Sequence, residues 1–240
     1  MRNRPVEYLI TCEHGGSAIP REYSRLFRNR QGLLASHRGY DRGSRDLAGR
    51  LAERLGGRLY YAETSRLLVD LNRSPGHPRL FSEITRYLAG EEKATLLLTY
   101  YHPYRNAVRS FISGCIGEGR GVVHVSVHTF TPVLGGVRNA DAGLLYDPSR
   151  DAERELCLAW QEALSTVMPW IRVRRNYPYR GKSDGMVSSM RKRFGPRHYL
   201  GVELELNQRH VREGRSSWKR LQDLIGQGAE EALSALELTR

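Results

Sequence analysis

Residues 122–132 read Val-Val-His-Val-Ser-Val-His-Thr-Phe-Thr-Pro, and how this stretch is read decides the fold. β-Branched and polar residues alternate at a period of two, the pattern of a central or half-buried strand, and His128 falls where that strand is expected to run out. In an open α/β sheet, ligands gather beyond the carboxyl ends of strands, so a histidine there is placed for chemistry. His124, enclosed by valines within the same strand, is the control and reads as structural. A lone strand-end histidine is more often a hydrogen-bonded loop residue than a ligand. His128 therefore gains meaning only if other segments bring matching groups to it.

Working outward, residues 6–12 are apolar and β-prone and stop at Glu13-His14-Gly15-Gly16-Ser17, a tight turn carrying a second strand-end histidine. Asp41, in Tyr40-Asp41-Arg42-Gly43, precedes a helix marked by Leu47, Leu51 and Leu55 and closed by Gly56-Gly57. It could cap that helix, a role worth about 1 kcal/mol, or complete a two-histidine, one-acid metal set with an open position for water. Spacing alone favours the cap.

Residues 67–71 are expected to form another strand, in which Asp70 interrupts an apolar run and needs a partner such as Arg66 or Arg73. Asn72 and Arg73 would then lie beyond the strand end, where a guanidinium fork can grip a substrate carboxylate. Residues 75–88 look irregular, and 91–112 look helical on both sides of Pro103, with Tyr100-Tyr101-His102-Pro103-Tyr104-Arg105 interrupting the helix. A glycine loop, Gly135-Gly136, brings Arg138 near the same sheet edge, ahead of a short strand at 143–146 and a helix at 150–167. A turn-forming loop at 176–181 follows. In the strand expected at 199–206, Glu203 and Glu205 project from one face, and at least one must meet a polar cavity or an arginine. Residues 217–238 read as an amphipathic scaffold helix.

The 240 residues suffice for one α/β domain spanning 1–240, and no linker divides them. The net charge of +12 invites a nucleic-acid reading, but the basic residues are mostly arginines scattered among acids, without a basic tail or an aromatic RNA-binding signature. Such a charge equally fits a biased composition together with a cavity that attracts anionic substrates. Three widely spaced cysteines imply a reducing compartment without a disulfide frame or cysteine zinc site. Met1-Arg2-Asn3-Arg4-Pro5 leads into a strand, so neither a signal peptide nor a membrane span is expected, and the location is read as cytoplasmic.

Several short segments recur in a telling order: Cys12-Glu13-His14-Gly15-Gly16, Asp41-Arg42-Gly43, Ser65-Arg66, Asp70-Leu71-Asn72-Arg73, Pro103-Tyr104, Ser126 to Pro132, Gly136 with Arg138, Asn176-Tyr177-Pro178-Tyr179, and Glu203 to Gln208. Their collinearity resembles the N-formylglutamate amidohydrolase family. The resemblance implies a zinc-carboxypeptidase-like fold, a mixed and mostly parallel sheet flanked by helices on both faces. It also implies zinc-assisted hydrolysis of an amide in a small anionic substrate, an N-acyl amino acid such as N-formylglutamate or a short peptide. Aspartoacylases carry a similar Asp-Leu-Asn-Arg segment, which assigns Asn72 and Arg73 to a substrate carboxylate. Arg138, Arg66 and Tyr177 join them as candidate substrate contacts.

One departure concerns the metal. Carboxypeptidases take ligands from His-x-x-Glu, whereas the third residue after His14 is Ser17. By likeness to cell-wall amidases the set becomes His14, Asp41 and His128, with Glu13 and Asp70 in reserve as the acid. The ion is expected to be a single zinc or another divalent metal, with Glu205, preferred over Glu203, as general base and then acid. A second departure is Arg105, where relatives usually carry histidine.

Overall fold

The computed structural model describes residues 4–212 and 215–238, so the leading Met1-Arg2-Asn3 lies outside the described residues. Six strands, β1 (Val6–Cys12), β2 (Arg58–Tyr61), β3 (Gly121–Phe130), β4 (Ala142–Leu145), β5 (Val173–Arg175) and β6 (Tyr199–Asn207), form one sheet in the order β2-β1-β3-β6-β4-β5. The first four strands of that order are parallel to their neighbours; β4 runs antiparallel to β6, and β5 pairs parallel with β4. The helices are α1 (Gln31–Leu34), α2 (Ser44–Leu55), α3 (Gly90–Leu96), α4 (His102–Gly117), α5 (Asp151–Val167), α6 (Met186–Arg193), α7 (Arg209–Arg212) and α8 (Arg215–Leu238). Among the described residues, no helix is long and apolar enough to cross a membrane.

All ten residues of β3 are buried, as a central parallel strand covered on both faces requires. Its period of two sorts them. Val123, Val125 and Val127 join Ile10, Leu200, Val202 and Leu204 against Leu47 and Leu51 of α2, Trp160 of α5 and Ile225 of α8. On the opposite face, Leu9, Val122 and Tyr199 pack under Val108 and Ile112 of α4 and Met186 and Met190 of α6. Further along this second face, toward the carboxyl ends, side chains turn polar: His124, Ser126 and His128 on β3, Glu203 and Glu205 on β6.

Three expectations need correction. β3 continues through Phe130, so His128 sits inside the last turn of pairing instead of beyond it. Residues 67–71 do not form a strand; they make turns, with Leu68 N–H donating to Ser65 O and Asp70 N–H to Leu80 O. The segment is apolar because Leu67 and Leu68 pack with Phe27 and Leu96, and Val69 and Leu71 with Leu80 and Tyr101. Around Pro103 the helix does not break. It widens into a π-turn, Leu97–Tyr101, that joins α3 to α4, accommodating a proline ring that has no N–H to offer the preceding turn. Strands β2 and β5 and helix α6 were not expected at all.

His124 matches its structural reading. It is fully buried, with Nε2 2.8 Å from Thr11 Oγ1 and Nδ1 2.6 Å from the Tyr199 hydroxyl. Burial lowers its pKa to about 4. The unfolded chain therefore binds a proton that the fold refuses as pH drops from about 6.5 to 4, and this group's contribution is full above 6.5 and lost through that window, up to about 3 kcal/mol. Denaturant titrations should show this. His124→Asn is expected to be less stable than the wild type at pH 7, yet to lose about one proton's worth less stability than the wild type on going to pH 4.5. Parallel losses in the two proteins would contradict the buried neutral imidazole.

Candidate active site

The loop after β1 and the entrance of α2 are tied together before any side chain is considered. Asp41 N–H donates to His14 O at 2.9 Å, the Ser44 hydroxyl donates to Asp41 O at 2.7 Å, and Cys12 Sγ lies 3.2 Å from Ser44 Oγ. The residue that caps α2 is Gly43, at φ +82°, where a Cβ would come within 2.9 Å of Val211. Asp41 is thereby relieved of the capping role that spacing favoured, and its carboxylate turns inward.

That carboxylate meets both histidines. Asp41 Oδ2 is 2.9 Å from His128 Nδ1 and 3.4 Å from His14 Nδ1, and the two imidazole centroids are 4.9 Å apart. One ligating atom from each of the three residues lies within 4.8 Å of the other two, and all three side chains are buried. The far nitrogen of each ring is held by another carboxylate. His14 Nε2 is 2.7 Å from Asp70 Oδ1, and His128 Nε2 is 3.3 Å from Glu13 Oε2, with Ser126 Oγ at 3.1 Å. Glu13 and Asp70, the alternative acids, thus orient the rings from outside the three-residue set, as outer carboxylates do around metal-bound histidines. A carboxylate only accepts, so His14 Nε2 carries a proton, while Nδ1 is buried without any hydrogen-bond partner. An orphaned ring nitrogen facing a carboxylate and a second imidazole fits a divalent cation.

The electrostatics sort the acids. Burial works to raise Asp41, Glu13 and Asp70, but the adjacent histidines, joined at Asp70 by Arg66, outweigh it, leaving Glu13 at about 2 and the other two below their usual range. Burial likewise disfavours charge on His128, yet Asp41 and Glu13 hold it well above the ordinary imidazole range. Glu205 behaves oppositely. Burial drives its carboxyl up to about 8, only partly offset by His128 and Arg138, and Oε2 has no partner. Its register position is directly beside His128, as Glu203 is beside Ser126. Burial raises Glu203 too. Among the described residues, neither glutamate pairs with an arginine.

The expected substrate contacts gather less tightly. Asn72 Nδ2 lies 3.3 Å from His128 Nε2, and Oδ1 accepts the N–H of Met186 at the head of α6. Arg73 donates from Nη1 to Asp184 O and leaves a buried Nε unpartnered, 3.9 Å from Asp70. Arg66 spans Asp70 at 2.8 Å and Asp41 at 3.6 Å. Arg138 stacks over Phe130 and Tyr179 and donates to the Tyr179 hydroxyl. The Tyr177 hydroxyl accepts the N–H of Asn139, and its carbonyl closes on Gly143, where a Cβ would come within 1.9 Å of it and 3.3 Å of Glu205 Cβ. The sequence places Ser126 and Tyr104 in the matching segments but assigns neither a role; Ser126 donates to Glu13 at 2.7 Å, and the Tyr104 hydroxyl reaches Glu13 at 3.3 Å. A role for Ser126 could have been found from the period of two, since it shares a strand face with His128.

Comparison with known proteins adds an independent line. No curated protein matches the chain. Among solved structures, the gene product Atu2144 from Agrobacterium tumefaciens is similar over 96% of this chain and 92% of its own, with 29% identity and a TM-score of 0.82. An N-formylglutamate amidohydrolase from Ralstonia eutropha JMP134 shares the fold at 19% identity and a TM-score of 0.69, covering 95% of this chain and 93% of its own. The family model for N-formylglutamate amidohydrolase matches residues 6–211, most of the sequence and every segment of the buried cluster. The chain belongs to the N-formylglutamate amidohydrolase family and is a hydrolase of amide bonds.

Proposed function

We propose that the protein is a zinc-dependent amidohydrolase that cleaves the amide of an N-acyl amino acid, N-formylglutamate being the model substrate. The observation that carries this reading is the pair of buried imidazoles sharing one carboxylate, with Glu205 beside them on the same sheet face. His14, Asp41 and His128 would hold the ion, and Asp70 and Glu13 would fix the ring orientations. When bound, the metal would supply Lewis acidity and a water acidic enough to yield its proton near neutral pH.

Glu205 takes the proton from the attacking water and returns it to the leaving nitrogen. Water adds its oxygen to the acyl carbon, the C–N bond breaks, and a carboxylic acid and an amine depart. A carboxyl raised by burial is matched to such a shuttle, because proton carriers work best when their pKa lies near the operating pH. Arg73 and Asn72 anchor the α-carboxylate of the substrate, and Arg138 and Arg66 hold its remaining negative charge at the rim. Tyr177 narrows the acyl end through its backbone against Gly143.

Metal analysis and steady-state kinetics test this reading together. His14→Ala and His128→Ala are expected to lose bound zinc and activity in parallel. Undiminished metal in both variants would refute the ligand set. Glu205→Gln should keep zinc while kcat falls by roughly 10²- to 10⁴-fold, the span of general acid–base catalysis. A glutamine variant with nearly full kcat would remove Glu205 from the mechanism and turn attention to Glu203. Arg73→Ala should raise KM much more than it lowers kcat, and a panel of N-formyl, N-acetyl and dipeptide substrates should rank the formyl compound first.

A further inference from the structure

Away from the buried cluster, α4 and α6 flank a cleft of about 570 Å³ whose lining includes Tyr101, His102, Arg105, Arg109, Lys192 and Arg193. No acid lines it. Arg105 and Arg109 are four residues apart and share one face of α4. Lys192 and Arg193 stand opposite, in the last turn of α6. The negative end of the α6 dipole accounts for those two, but not for the arginines facing them from within α4.

Some cations on the surface of this chain are paired with acids, and among the described residues those of the cleft are not. Arg38, Arg50, Arg54 and Arg154 are each ion-paired, to Glu83, Asp223, Glu230 and Asp151. Among the described residues, Arg109, Lys192 and Arg193 make no ion pair. Arg105 is 7% exposed. Its Nη1 donates to Leu71 O at 2.8 Å, and its guanidinium lies 5.3 Å from the Tyr101 ring centroid. Among the described residues, its Nε and Nη2 have no hydrogen-bond partner, so a buried guanidinium presents donors at the floor of a cationic cleft. The neighbouring carboxylate of Asp184 is committed to the N–H and hydroxyl of Ser74. Like charges lining one cleft repel one another, and an anion touching several of them relieves that repulsion and gains charge-assisted, partly bidentate hydrogen bonds.

We propose that the α4–α6 cleft is a second anion site, separate from the catalytic cluster, that takes a compact small molecule bearing two phosphate groups. The concave shape and small volume favour a soluble metabolite-sized ligand over a nucleic-acid strand. Among the described residues, the one Tyr, Phe or Trp in the lining is Tyr101, and at 1% exposed it offers no open face for base stacking.

Isothermal titration of the zinc-loaded protein with fructose 1,6-bisphosphate, at ionic strength fixed with sodium chloride, tests the site without reference to catalysis. Saturable binding with one molecule per chain is expected in the wild type and in Arg73→Ala. The variant Arg109→Ala/Lys192→Ala/Arg193→Ala, altered away from the buried cluster, is expected to bind at least tenfold more weakly while keeping its zinc and its kcat. The proposal is overturned if the wild type shows no saturable binding. It is also overturned if the triple variant binds as tightly as the wild type, if binding is lost in Arg73→Ala but kept in the triple variant, or if only a nucleic acid binds.

Discussion

The structure depends on a buried carboxylate that cannot stand alone. Asp41 is 6% exposed and is compensated by two imidazoles and, at 3.6 Å, by Arg66. Each of those partners leans in turn on another acid: His14 and Arg66 on Asp70, His128 on Glu13. Removing one member of such a set strands the charge of its partner, typically at a cost of about 3–5 kcal/mol. The arrangement is therefore held as a unit, and it separates carboxylates by environment. Those facing cations stay ionised, while Glu205, beside the same histidine but without a hydrogen-bond partner on Oε2, is pushed up to about 8. One buried face thus holds both a His-Asp-His group that could bind a metal and a carboxyl raised by burial.

Parallel pairing is what brings these groups level. In β1 and β3, Thr11 is in register with Ser126, which carries Glu13 to the height of His128. In β3 and β6, His128 is in register with Glu205. Three adjacent strands pointing the same way deliver their last residues to one edge, and the entrance of α2 adds Asp41 through its bond to the His14 carbonyl. The apolar half of the same face, under α4 and α6, anchors the strands from which the polar half projects.

Much of this was legible in the sequence, for identifiable reasons. β1, β3 and β6 announce themselves because burial on one or both faces enforces apolar or alternating residues, and the leucine repeat of α2 and the apolar stripes of α5 and α8 report helices in the same way. The histidines at residues 14 and 128 and the paired glutamates of β6 followed from those strands. Short edge strands were not legible: β2 is four residues of Arg-Leu-Tyr-Tyr and β5 only three, too few to show a period. Residues 67–71 misled because a buried turn and a buried strand are equally apolar; only the bonds to Ser65 and Leu80 tell them apart. Asp41 was ambiguous because the choice between cap and ligand depends on Gly43 taking the capping position, a matter of backbone geometry that composition does not reveal.

The claim at the centre is that residues 14, 41 and 128 enclose one divalent cation. Anomalous X-ray diffraction at the zinc absorption edge, from crystals of the zinc-loaded protein, tests it most directly. The account predicts one strong peak in coordination contact with His14 Nδ1, His128 Nδ1 and an Asp41 carboxylate oxygen, with Glu13 and Asp70 outside contact distance. A peak held by other residues, or none at this position in a zinc-containing crystal, would contradict it.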